Sequence, residues 1–296
     1  MRMRATVAAL TGALALSALV VPAAQADDPS YRQAAAEAFA AHHGASSAAS
    51  TSARSYGITA AAEGTMDVSF SNFKIAKAVK VGTTNHVSTT VTYKLTHGTD
   101  VDIHAADFAT GPYIYKGAFD TPANMLFGVY AATCADTSAT TATCTGDIDV
   151  YPYDGELFNS DAGTWKGAAL ALDYTTGDYA DQGSLGSTLV QRYSKLTVNA
   201  SPEPVKKGKT LTVTGKLSRA NWEDNKYHGY TGQSVQLQYR KKSSSTYTTV
   251  KTVKTSSTGT LKTTVKASAD GYYRFSFAGT STTPAVKAAG DYVDVK

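Results

Sequence analysis

The sequence predicts an all-β fold: two tandem β-sandwiches after a secretory signal peptide and an Ala/Ser-rich N-terminal segment. Three observations carry this. The 296 residues include 41 Thr, 18 Tyr and 24 Gly, with only 18% charged residues, and such β-branched and aromatic side chains suit a pleated, half-buried surface. From about Met66 onward, short runs of alternating apolar and polar residues are separated by Gly, Asp, Asn and Pro, the period and punctuation of strands and turns. The length accommodates two domains of ordinary size, and 42% apolar residues argue against disorder throughout.

The N-terminus carries an address. Arg2 and Arg4 precede a largely apolar run from Ala5 to Val21, then Pro22 and the triplet Ala24-Gln25-Ala26, which predicts a signal peptide over 1–26 cleaved after Ala26. The run is shorter than the ~20 residues of a spanning helix and no second one follows, so a secreted, extracellular chain with no membrane insertion after cleavage is expected. No Cys follows the run to take a lipid. Residues 27–62 read as an Ala/Ser-rich tether: YRQAAAEAFAAHH as a short helix, then GASSAASTSARS as a spacer. Adjacent helical residues point to different faces, so His42-His43 is expected to be exposed and inert.

The first sandwich is expected over 63–193, with strands near 66–77, 87–97, 112–118, 125–134, 143–152, 163–174 and 185–193. Trp165 is the candidate core anchor on the sixth strand. Cys134 and Cys144 flank the polar string ADTSATTAT and read as one disulfide closing a hairpin, worth at most about 3 kcal/mol for so short a loop. A reactive or metal-binding pair is the alternative, although neither a nearby His nor a third Cys completes such a site.

The second sandwich is expected over 194–296, with strands in SKLTVNA, KTLTVTGKLS, SVQLQYR, TYTTVKTVK, GTLKTTVKA, GYYRFSFAG and GDYVDVK. Alternation puts Tyr273, Phe275 and Phe277 on one face. Asp270-Gly271-Tyr272-Tyr273 is similar to the tyrosine corner that leads into the sixth strand of an immunoglobulin domain, with Phe275 where a disulfide Cys would stand. Both sandwiches are therefore read as immunoglobulin-like. SKLTVNASPEPVKKGKTLTVTGKL, STYTTVKTVK and DGYYRFSFAGTSTT together resemble the C-terminal immunoglobulin-like module of secreted actinobacterial, Streptomyces-type proteins of uncharacterised function. The Cys pair, AGTWK and VQRYSKL are similar to the first domain of the same two-domain proteins. Some of those proteins carry a calcium-binding label, so the resemblance raises calcium as a ligand.

Signatures of catalysis are absent from the sequence: no HExxH, GxSxG, Walker loop or GxGxxG. His86, His97 and His104 flank the second strand, with His97 near Asp100 and Asp102, and read as either an acid–base or metal site or ordinary exposed loop histidines. An immunoglobulin-like sandwich clusters alternate loops at one end, which would bring Asp100, Asp102, Asp178 and Asp181 to one rim. Ca²⁺ takes 6 to 8 oxygens in flexible geometry, so this rim is either a calcium site or an ordinary solvated acidic edge. RANWEDNKYHGYTG supplies Trp222, Tyr227 and Tyr230, read as either interdomain packing near YDGELFNSD or an external ligand loop.

The formal charge of +4 conceals an asymmetry. Residues 63–190 hold 6 Lys and Arg against 15 Asp and Glu, a net −9, while residues 191–296 hold 18 against 6, a net +12. The basic half offers Lys206, Lys207, Lys209, Arg240, Lys241 and Lys242 to anionic envelope polymers; the exported location and the acidic half argue against nucleic acid. The leading expectation is a monomeric, non-enzymatic, secreted binding or structural protein whose partner is a cell-envelope polymer or an extracellular protein, with no cofactor. The alternatives are a calcium-binding protein using the acidic rim, and an inhibitor or hydrolase with an unrecognised loop.

Overall fold

The computed structural model describes residues 31–44 and 63–296; the expected signal peptide over 1–26 and the expected spacer lie outside the described residues. The first sandwich runs β1 (Glu63–Gly64), β2 (Val68–Lys74), β3 (Ala78–Val81), β4 (Val87–His97), β5 (Phe108–Gly117), β6 (Pro122–Phe127), β7 (Thr133–Ser138), β8 (Thr141–Val150), β9 (Gly163–Asp173) and β10 (Tyr179–Arg192). One sheet has the order β2-β4-β8-β7; the other runs β10-β9-β5-β6, with β1 antiparallel and β3 parallel to β10. Taken in chain order these are the A, B, E, D strands against G, F, C and C′, the immunoglobulin arrangement. The structure thus bears out the all-β fold class from strand order alone.

Most predicted strands are present, and the departures have local causes. The expected strand 125–134 is two strands, because residues 128–132 carry the chain from one sheet to the other between β6 and β7. β5 begins at Phe108 and runs through Pro112; β6 pairs with it only from Tyr113 onward, so the proline stands where the strand is still close to an edge. Trp165 is fully buried between the sheets and its indole N–H donates to the Asp161 carbonyl at 2.7 Å. Cys134 and Cys144 are direct cross-strand partners on β7 and β8 and form a disulfide.

The short helix expected in YRQAAAEAFAAHH is present as α1 (Tyr31–Gly44); what is corrected is the tether, because α1 is docked on the outer face of the β10-β9-β5-β6 sheet. Tyr31, Ala35, Phe39 and His43 recur every four residues, make one stripe and are buried. Gly111 of β5 permits the approach: a Cβ there would sit 2.5 Å from the Tyr31 ring. Arg32 pins the N-terminal turn, donating to the Phe127 and Asp149 carbonyls at 2.8 and 2.6 Å and pairing with Glu156. The histidines are likewise not an inert exposed pair: His43 is buried beside Asp181, and the His42 ring stacks on Tyr179 at 3.5 Å.

The second sandwich runs β11 (Ser194–Leu196), β12 (Asn199–Ser201), β13 (Thr210–Asn221), β14 (Lys226–Gly229), β15 (Ser234–Lys241), β16 (Thr248–Lys254), β17 (Thr260–Lys266), β18 (Gly271–Phe277), β19 (Val286–Lys287) and β20 (Asp291–Val293). β13 carries β11, β12, β14 and β17, and faces a sheet ordered β16-β15-β18 with β19 and β20 on β18. This is again B with A and E against C′, C, F and G. Tyr273, Phe275 and Phe277 are buried together as predicted. The corner differs from its expected form: the hydroxyl that reaches the turn backbone is that of Tyr239 on β15, donating to the Ala269 carbonyl at 3.0 Å.

Candidate binding surfaces

The four predicted calcium ligands are not brought together. Asp100 and Asp102 are exposed on the β4–β5 loop, where Asp102 accepts from the His104 backbone N–H at 2.9 Å. Asp178 is on the β9–β10 hairpin and accepts from the Thr176 hydroxyl at 3.0 Å. These two loops do meet, through the Tyr174 N–H and the Asp107 carbonyl at 2.9 Å. Asp181 is the correction: it sits inside β10 rather than in the hairpin, and its side chain turns under α1. It is 1% exposed, accepts from the Tyr113 hydroxyl at 2.8 Å and lies 3.1 Å from His43 Nε2. Burial, and then the Asp181 charge, push the Tyr113 phenol well above its ordinary pKa. Among the described residues no three His, Cys, Asp or Glu side chains are disposed to hold a metal ion.

The aromatic loop belongs to the domain junction. Tyr193 alone separates β10 from β11; its N–H donates to the Val81 carbonyl at 2.8 Å and its carbonyl accepts from Ala220 at 2.8 Å. Trp222 crosses the boundary: it is buried in the core of the first sandwich with Val81 and Val79, and its indole N–H donates to the Gly82 carbonyl at 2.9 Å. Asn159, in the segment YDGELFNSD, contacts the same loop, its side chain bonding Asn221, Trp222 and Glu223, while Phe158 stays exposed. Tyr227 packs against the first core with Lys195 Nζ 3.7 Å from its ring centre. Tyr230 packs instead on the second core, edge-on to Phe277, with the Arg219 guanidinium 3.9 Å from its ring centre. Arg192 closes the junction through Ala220 at 2.6 Å, and burial, followed by the charge of Arg219, lowers its guanidinium to about 10.

The basic residues converge. β13 leaves the end of the second sandwich opposite the junction, so the turn before it, with Lys206, Lys207 and Lys209, lies there. The Lys207 N–H donates to the Lys296 carbonyl at 2.7 Å and Ala267 donates to the Lys209 carbonyl at 2.9 Å, tying this turn to the C-terminal residues and to the end of β17. β15 finishes at the same end: the Lys242 N–H donates to the Asp270 carbonyl at 3.0 Å, and Asp270 in turn accepts from the Val295 N–H at 2.9 Å. Lys206, Lys207, Lys209, Lys241 and Lys242 are exposed there beside Lys266 and Lys296, two cations the sequence reading did not include. Arg240 stands one residue back on β15, facing outward.

No protein-family model matches the chain, and no curated protein does. Among solved structures it is similar to a marsupial T cell receptor, at 12% identity and a TM-score of 0.36 over 77% of this chain and 73% of that one. It is also similar to the fibronectin(III)-like modules of Clostridium thermocellum CbhA, at 12% identity and a TM-score of 0.27 over 77% and 92%. A third, the D0-D1 domain of intimin, gives 16% identity and a TM-score of 0.25 over 76% and 98%. These likenesses are too remote to bear on activity or partners. The strand order by itself defines the class, a chain of two joined immunoglobulin-like sandwiches.

Proposed function

We propose that this is a secreted, non-enzymatic binding protein that associates with anionic polymers of the cell envelope through the basic end of its second sandwich. The observation that carries the reading is the meeting of Lys206, Lys207, Lys209, Lys241, Lys242, Lys266 and Lys296 at one end, with the acidic sandwich at the other. Such a cluster raises the local concentration of a polyanion and steers its approach. Export is supported by the Arg2–Ala26 pattern and by the Cys134–Cys144 disulfide, which suits an oxidising compartment; among the described residues no helix is long and apolar enough to cross a membrane.

Charge attraction between exposed groups is screened beyond ~8 Å at physiological salt, so the test is salt-sensitive. The mature protein should be retained on isolated cell envelope at low salt and released on the order of 0.5 M. Lys206→Gln/Lys207→Gln/Lys209→Gln should weaken retention and flatten its salt dependence. Absent retention, or retention indifferent to salt, would overturn the reading.

A further inference from the structure

The outer face of the β16-β15-β18-β20 sheet carries a row of rings and cations that the basic end alone does not explain. With Tyr273, Phe275 and Phe277 turned into the core, alternation turns Tyr272 and Arg274 outward. Arg240 stands opposite Tyr272 on β15, and Tyr292 opposite it on β20. The Arg240 guanidinium lies 3.8 Å from the Tyr272 ring centre and 5.3 Å from that of Tyr247. The Arg274 guanidinium is also over Tyr247, 3.7 Å from its ring centre. Tyr272 and Tyr292 are 5.2 Å apart, and Lys242 Nζ is 5.3 Å from the Tyr292 ring. Tyr247 belongs to the β15–β16 loop and is laid across the sheet with its hydroxyl against Gly290, where any Cβ would collide with it.

Both guanidinium planes are held. Arg274 Nε donates to Gln238 Oε1 at 2.9 Å, and Arg240 Nη1 donates to the Ser244 carbonyl at 2.8 Å, leaving further N–H donors on each fork. The nearby carboxylate, Asp270, is engaged by the Tyr292 hydroxyl at 3.2 Å and by the Val295 N–H.

We infer that this face is a binding site for phosphodiester-linked polyol chains. It rests on the polyanion reading above and gives that reading a recognition surface. A planar guanidinium meets phosphate oxygens two at a time, where an ammonium offers only a point charge. The Tyr247 and Tyr272 rings carry the guanidiniums and so fix the forks in place, while the Tyr292 ring at the edge of the row supplies apolar contact for the C–H groups of the intervening polyol. Lys242 makes the face continuous with the basic end, so a chain seated on the lysines continues onto it.

The test is titration calorimetry of the mature protein with poly(glycerol phosphate) oligomers, alongside poly-glutamate of matching charge. Arg240→Lys/Arg274→Lys keeps every charge and removes the forks and their stacking. It should bind the phosphate oligomer at least tenfold more weakly while wild type prefers it to poly-glutamate. Equal binding by the double variant, or no preference for phosphate, overturns this inference and leaves the polyanion reading standing. Failure of wild type to bind either polymer or the isolated envelope removes both. On the unaltered protein, bound oligomer should slow nitration of Tyr247 and Tyr272 but not of Tyr130, which is 80% exposed on the first sandwich; unslowed nitration overturns the site even if the double variant does not fold. A concentration-dependent dimer at low salt that the double variant abolishes would assign the face to a second copy instead, and overturn the polymer.

Discussion

Asp149 shows how one carboxylate ties the first sandwich together. It is 7% exposed, accepts from the Val129 N–H at 3.0 Å and lies 2.8 Å from His86 Nε2, while its own carbonyl takes Arg32 of α1. Burial by itself would raise its pKa, but the bonds from Val129, His86 and Ser88 outweigh it and hold the carboxyl below the ordinary range. A depressed folded-state pKa contributes stability that is full above the unfolded carboxylate value and lost as pH falls through the folded one. Asp149→Asn should therefore cost about 1–3 kcal/mol at neutral pH. In urea unfolding at a series of pH values, the gap between wild type and variant should close as the medium becomes more acidic than pH ~4; a gap constant down to pH 2 would refute this account.

At the level of the element, the docking of α1, as distinct from the helix itself, is the part least anticipated. Its packing residues are aromatic and spaced for one face, so Phe39→Asp should undock it. Hydrogen exchange should then become much faster across 31–44 while β5 and β9 stay protected, because the sheet is held by its own ladders. The four-residue spacing of Tyr31, Ala35, Phe39 and His43 was present in the sequence. Alanines at 34, 36, 38, 40 and 41 surround that stripe and blur it, since an Ala-rich helix looks much the same on every side. Strands are easier to read wherever one face is buried, as in β4, β17 and β18. They are harder where residues 128–132 cross between sheets without losing apolar character, and where β3 pairs for only four residues. The basic run near Arg240 was legible for the same reason that charge is always legible. Tyr247 was not, because its place on the sheet depends on a loop folding back over a neighbouring strand, which no local pattern records. Asp181 differs for another reason: the expected strands 163–174 and 185–193 leave it in a loop, whereas β10 begins already at Tyr179, so the residue expected as a loop ligand is a strand residue.

For the whole molecule, the decisive feature is that the two sandwiches share a core residue across a one-residue boundary. Trp222 is supplied by the basic half and buried in the acidic half, so unfolding of either should be felt by the other. Calorimetry is expected to give one cooperative transition for the mature chain. Trp222→Ala should cost about 3–5 kcal/mol and resolve that transition into two; a single undisturbed transition in the variant would argue that the halves are independent. The opposite charges of the halves, −9 and +12, are thus fixed at the two ends of one joined body instead of being free to collapse on each other.

Trp222 also bears on how the gene for such a chain can be cut. A first sandwich ended at Tyr193 would keep all its strands and yet lose an indole from its interior, leaving a void beneath Val81 and the Gly82 carbonyl without its donor. Nor does a cut beyond residue 222 help, because β13, which leads into Trp222, carries β11, β12, β14 and β17 of the second sandwich and puts Leu211, Val213 and Leu217 in its core; no single break in the chain gives each module its whole interior.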